Sequence, residues 1–335
     1  MSLSAGSVSD GIPDRLLASP TRAGILSASM ADVLAFTDVS FSYRGDWLNR
    51  IRSLDTVSFA VPAGAAYGFL GANGAGKSTS IKLTVGLLAG QRGEIRLFGQ
   101  PVGDERLRAR VGYLPEQPYF YENLQVHEYL AYLGKLSGLR GPALRTAVDR
   151  VSELLDLAEL ARRKLGSFSK GMRQRFGLAQ AIIHQPDLLV LDEPFSGLDP
   201  LWRARFKEVM AAERKRGATL FFSTHILSDV EDLCDHYAVI DHGKVLEQGR
   251  LDTLIGAAPL ALTARGARPE GAEDLGDGTW RLLFPDSERG ARLAALTASG
   301  AEILRLERKH IALEDYFVAR VRAFHAAGRP MEATP

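Results

Sequence analysis

Residues Gly71–Thr79 read GANGAGKST, and the first eight of them fit the pattern G-x-x-x-x-G-K-[ST]. In such a loop the glycines let backbone N–H groups wrap phosphate oxygens, and a helix opening directly behind adds the positive end of its dipole. Lys77 then reaches the β- and γ-phosphates and Ser78 ligates Mg²⁺, with Gly71, Asn73, Gly74, Gly76 and Thr79 completing the candidate cradle. A second constellation lies in SKGMRQRFGLAQAIIHQPDLLVLDEPFSGLD, residues Ser169–Asp199. Its apolar run from Leu188 ends in Asp192 and Glu193, which is how a buried strand delivers carboxylates to a site at its carboxyl end. Upstream, Ser169 opens a helix with Gly171 beside it and Arg173 and Arg175 in its first turns, an arrangement suited to gripping a γ-phosphate through the hydroxyl and free N–H groups. Taken singly, the first half could be an ordinary helix cap and the second a surface acid pair.

The elements around these residues have the order such chemistry needs. Strand-like runs at Val33–Tyr43, Val57–Val61 and Ala66–Leu70 precede the glycine-rich loop, and helical periodicity follows over Lys77–Leu88. Val126–Ser137, Ala143–Leu155 and Lys170–Ile183 read as amphipathic helices inserted between the two constellations. Beyond them Leu188–Leu191, Leu201–Arg216, Thr219–Ser223, Leu227–Leu233 and Ala238–Ile240 alternate between strand and helix, which predicts parallel β-α-β units with ligands at the strands' carboxyl ends.

Composition narrows the setting. The chain has 335 residues, enough for one large domain and a smaller one, and 46% hydrophobic residues are enough for a core. Lys and Arg number 41 against 40 Asp and Glu, so a net charge of +1 offers no long-range attraction for nucleic acid or anionic lipid, and no nucleic-acid partner is expected. A single cysteine, Cys234, excludes an internal disulfide framework and reads as a small apolar residue on the helix after His225. No run approaches the 18 or so apolar residues of a spanning helix, so the chain is expected to be soluble and to need a separate partner for any membrane role. Residues 1–30, rich in Ser, Ala and Gly, read as a flexible tail, and Met30 offers an alternative start. His184, His236 and His242 have no metal-ligand spacing.

The motifs, together with Gln117 in YLPEQPYFYENL and His225 in LFFSTH, resemble the ATP-binding subunit of an ABC transporter, over about Val33–Leu254. The resemblance implies a P-loop NTPase of α/β class, with an antiparallel β subdomain and a helical subdomain at about 118–184 within an ATP-binding domain at 31–254. It also implies ATP and Mg²⁺ as ligands. Tyr43 would stack on adenine, Asp192 would hold Mg²⁺, and Glu193 would polarise the attacking water as general base. Gln117 would touch Mg²⁺ and that water, His225 would contact the γ-phosphate, and Asp199 would tune a facing site. Two ATP molecules would be sandwiched in a homodimer, each between the P-loop of one chain and the Ser169 segment of the other. The usual family form L-S-G-G-Q is altered here, with Phe168, Lys170 and Met172 at its first, third and fifth places. The form S-K-G-M-R-Q-R resembles the subset serving ABC-2-type exporters, in which Lys170 would be either an extra phosphate contact or a solvent-facing residue.

The implied partner is an integral membrane permease at the cytoplasmic face of the cell membrane, with the aromatic cluster Tyr119, Phe120 and Tyr121 as its seat. Two rivals stand beside an exporter: an ATPase powering a membrane complex without transport, and a soluble ATPase acting on nucleic acid or ribosomes. The span between Lys77 and Asp192 lacks the sustained heptads of chromosome-type members, and the chain holds one ATP domain where ribosome-type members carry two. From residue 255 to 325 the texture shifts to Ala, Gly, Arg and Glu and predicts a small α+β domain, with strands at Trp280–Phe284 and Ile303–Leu306 and a helix over Ala312–Phe324, followed by a tail at 326–335. Trp280 reads as a core aromatic.

Overall fold

A computed structural model of the chain describes residues 32–44, 50–256 and 260–308, together with Phe317, Arg322, Phe324 and His325. The two expected tails, and apart from those single residues the helix expected over Ala312–Phe324, lie outside the described residues. What is described falls into two compact units, one ending at Gln248 and one beginning at Gly249.

Along the first unit come strands β1 (Asp32–Arg44), β2 (Arg50–Pro62) and β3 (Ala66–Leu70), then helix α1 (Lys77–Thr84). Strands β4 (Arg92–Leu97), β5 (Gln100–Pro101) and β6 (Val111–Leu114) lead to three helices, α2 (Val126–Leu136), α3 (Gly141–Leu154) and α4 (Lys170–Ile182). Alternation then begins: β7 (Leu188–Asp192), α5 (Pro200–Lys215), β8 (Thr219–Thr224), α6 (Leu227–Leu233), β9 (His236–Asp241) and β10 (Lys244–Arg250). The helix expected to reach Leu88 stops at Thr84, where the Leu87 and Leu88 N–H groups both turn back to the Lys82 carbonyl.

Six strands form the central sheet in the order β10-β9-β3-β8-β7-β6, with β9, β3, β8, β7 and β6 parallel. Every residue of β3, β7 and β8 is buried, as the near-continuous apolar runs require of a sheet covered on both faces. Side chains alternate between two cores. Leu188, Val190 and Phe221 point to one shared with the antiparallel sheet β2-β1-β4-β5, where Phe59 packs on Phe36, Phe69 and Phe221 with ring centroids 4.5, 5.1 and 5.6 Å apart. Leu189, Leu191, Leu220 and Phe222 point to the other, shared with α2, α4 and α5. The antiparallel layer and the helical block thus clamp one sheet, and the carboxyl ends of β3, β7 and β8 are left to build a site.

In the second unit, α7 (Leu251–Gly256) precedes β11 (Leu260–Arg265), β12 (Glu273–Gly276) and β13 (Thr279–Phe284); helix α8 (Arg289–Ala298) and β14 (Glu302–Arg308) follow. The four strands form an antiparallel sheet in the order β12-β13-β11-β14. Trp280, 1% exposed, packs with Leu262, Leu282, Phe284 and Leu296, and its Nε1 donates to the Gly266 carbonyl, so it is a core residue. The sequence signal for β11 and β12 was weak because β11 is buried on nearly every residue and β12 is exposed on all four, so neither alternates.

Candidate active site

The buried strand β3 ends at Leu70, and the chain then turns through Gly71–Gly76 into α1. Gly76 sits at φ 111°, and a Cβ there would come within 2.8 Å of Leu54 Cδ2 and 2.9 Å of the Ser53 carbonyl, so both conformation and space demand glycine. No side chain caps α1, and no acidic residue stands in its first turn. Its opening N–H groups are therefore left for an anion. Lys77 is buried, and its ammonium curls back to donate to the carbonyls of Gly71 at 2.6 Å and Ala72 at 3.2 Å. Thr79, in the same turn, shares hydrogen bonds with Ser53 (2.7 Å) and with the Tyr43 hydroxyl (3.1 Å).

At the end of β7, Asp192 is 2% exposed. Its Oδ1 accepts from Ser223 Oγ at 2.6 Å and from Ser78 Oγ at 3.2 Å. Burial holds its carboxyl above the usual range, against the pull of those two hydroxyls. Burial, with the charge of nearby Asp192 added to it, pushes the Tyr113 phenol up to about 12. A serine hydroxyl beside a carboxylate is the hard oxygen donor set that suits Mg²⁺. The next residue, Glu193, adopts φ 47°, a left-handed conformation rare for a residue with a Cβ, and its N–H is held by Ser223 Oγ at 2.9 Å. That turn aims the carboxylate into the cleft. Its Oε2 meets His225 Nδ1 at 2.8 Å, whereas its buried Oε1 receives no hydrogen bond, although the Lys77 ammonium stands 3.2 Å away.

A cleft of about 440 Å³ opens beside these groups, although Tyr43 and Asp192 do not themselves line it. Ala72–Gly74, Gly76–Thr79, Glu193 and His225 line it, and so do Ser53, Glu116 and Ser196. Glu116 lines the cleft, whereas the neighbouring Gln117 is exposed and does not line it. Ser53, Ser196 and Ser223 were also missed: serines carry no signature of their own, and only the position of Ser223 two residues before His225 on a buried strand could have marked it.

The other expected site residues lie apart. Ser169 is exposed outside the cleft, with its Oγ accepting from the Met172 N–H at 3.3 Å as cap of α4. Gly171 follows it there, and Asp199 caps α5 by accepting from the Trp202 N–H at 2.9 Å. Arg175 reaches the carbonyls of Leu155 and Asp156 and stacks on Trp202, and so braces α4 instead of facing an anion. Of the aromatic cluster, Phe120 turns inward onto Phe176, with centroids 4.8 Å apart, while Tyr119 and Tyr121 are 85% and 66% exposed.

The family model for ABC transporters matches residues 54–196. An uncharacterized ABC transporter ATP-binding protein of Synechocystis is 34% identical over 335 residues, covering 96% of this chain and 93% of its own length. The bacitracin transport ATP-binding protein BcrA of Bacillus licheniformis is 32% identical over 305 residues, covering 86% of this chain and 97% of its own. Among solved structures, an ATP-binding subunit of an ABC transporter matches with a TM-score of 0.60 at 33% identity, over 66% of this chain and 91% of that one. The described residues contain no helix long and apolar enough to cross a membrane. The chain belongs to the family of ABC transporter ATP-binding proteins, and it binds and hydrolyses ATP as such a subunit.

Proposed function

We propose that the chain works as a homodimer at the cytoplasmic face of the membrane, where ATP-dependent closure drives an exporter permease. The observation that carries the pairing is the separation of the half-sites: Lys77, Ser78, Glu193 and His225 line one cleft, with Asp192 tied to it through Ser78, while the Ser169 helix start is exposed outside it. A second chain would present its Ser169 and Gly171 to the cleft and complete it. Export is favoured by the bacitracin transport relative, which matches nearly end to end. The outward Tyr119 and Tyr121 supply an aromatic surface for the permease. Tyr43, whose hydroxyl is tied to Thr79 in the first turn of α1, would stack on adenine.

In the reaction the Lys77 ammonium leaves its carbonyl partners for the β- and γ-phosphates, which the uncapped start of α1 also attracts. Ser78 and Asp192 would hold Mg²⁺, which neutralises phosphate charge when bound. Glu193, freed from Lys77, accepts a proton from water as that water's oxygen bonds the γ-phosphorus; the bond to the β-phosphate oxygen breaks and ADP leaves with the electron pair. His225 steadies Glu193 through Oε2. Gln117 is given no step, because it lies outside the cleft.

Mixing Lys77→Ala chains with Ser169→Arg chains tests the pairing. Shared sites predict that the mixture recovers part of the turnover that each variant lacks alone, since one of its two clefts is intact. A mixture as inactive as its components refutes the paired reading.

A further inference from the structure

We infer that Lys170 is a positioning residue acting within its own chain, where it ties the opening of α4 to the Ser196–Gly197 turn in the wall of the ATP cleft. The Lys170 ammonium donates to Ser196 Oγ at 3.2 Å, and Ser196 lines the cleft alongside Glu193 and His225. Its aliphatic stem lies flat on Gly197: a Cβ there would stand 2.7 Å from both Cδ and Cε of Lys170. Gly197 has φ 74°, so the turn itself also selects glycine. Gly171 closes on the same turn, since a Cβ added to it would meet the Gly197 carbonyl at 3.4 Å.

Charge makes the placement informative. Lys170 is the first residue of α4, where a cation opposes the helix dipole, and no acidic residue in the first turn offsets it. Among the described residues no carboxylate pairs with Lys170, whereas Arg173 one turn on pairs with Glu122. A lysine serving only as a solvated face would swing away from that end; this one is laid along Gly197 onto Ser196. The link steadies the wall of each chain's own cleft against the start of α4. It rests on the reading of the cleft as the ATP site.

The test uses the full chain. In the nucleotide-free protein, Lys170→Met is expected to raise amide hydrogen exchange across residues 195–198 by about threefold, the scale of one exposed hydrogen bond. Ser196→Ala should do the same, the double variant should add nothing, and Lys170→Arg should keep the wild-type rate. Unchanged exchange in Lys170→Met, or additive effects, overturns the tether. Mixed dimers then assign its side: with Glu193→Gln silencing one chain's cleft, Lys170→Met on the other chain should lower turnover and on the silenced chain should not. A deficit that follows the silenced chain means that Lys170 serves the facing cleft, and overturns the inference. If the chains fail to pair while the exchange effect is present, the paired reading falls and the tether stands.

Discussion

Ser223 holds both acids of the site with one oxygen, so Ser223→Ala is a sharp probe of how the cleft is built. The hydroxyl donates to buried Asp192 at 2.6 Å and accepts from the Glu193 N–H at 2.9 Å, inside a strand with no exposed residue. A net hydrogen bond to a charged group is worth about 1.5–3 kcal/mol, and an unsatisfied buried N–H costs about 1–3 kcal/mol. Because one atom makes both contacts and the truncation leaves almost no void, we expect a combined loss of about 2–4 kcal/mol. That should lower the thermal midpoint by about 2–4 °C per kcal/mol, followed by circular dichroism with and without ATP. Catalysis should fall as well, since the Ser223 hydroxyl is one of two hydrogen-bond partners of the left-handed Glu193 backbone, the other being the Ser196 N–H on its carbonyl at 3.0 Å. Loss of the Ser223 donor also removes one of the two hydroxyls that favour the charged form of Asp192, so the acid limb of the pH–rate profile should move toward neutrality. The Asp192→Asn/Ser223→Ala pair closes a double-mutant cycle, in which the double variant should lose less than the sum. An unshifted midpoint together with an unshifted acid limb would refute the assignment of Ser223 as the shared support.

Three further outcomes are expected. Glu193→Gln should lower turnover about 10²–10⁴-fold, the usual loss on removing a general base, while ATP binds at least as tightly because the carboxylate 3.2 Å from Lys77 is gone; filter binding and a phosphate-release assay separate the two. Asp192→Asn should abolish Mg²⁺-dependent turnover yet stabilise the fold at neutral pH. Burial raises the Asp192 carboxyl, so only between its unfolded and folded values does the folded chain hold a proton that the unfolded chain has released; stability from this group falls as pH rises through that window, the charged carboxylate bears the cost above it, and the gain from Asn should fade toward about pH 4. Denaturant titrations at neutral and acid pH check the sign. Trp280→Ala should destabilise the second unit by about 3–5 kcal/mol, measured as faster proteolysis after Gly249.

The arrangement of the catalytic cassette was legible because its signals are local. A glycine-rich loop must sit between a strand and a helix, and an apolar run ending in two acids must be a buried strand delivering them at its end. Residues Lys77, Ser78, Asp192 and Glu193 accordingly come together where the motifs imply. That Glu116 lines the cleft was not legible, because a side chain's direction past a strand end depends on how the chain leaves the sheet. Nor were the roles of Ser53, Ser196 and Ser223, whose hydroxyls acquire partners 26 to 31 residues away only once strands and helices are packed.

Sequence by itself determined the order of elements, the two-faced burial of the central strands and the residue types able to cradle phosphate, since each follows from periodicity or from spacing along the chain. Tertiary structure decided which carboxylate lines the cleft, that Lys170 lies on Gly197, and that Arg175 braces a helix instead of facing an anion. Such choices turn on distances of an ångström between segments far apart in the chain, and these are settled by how the sheet and the helical block pack.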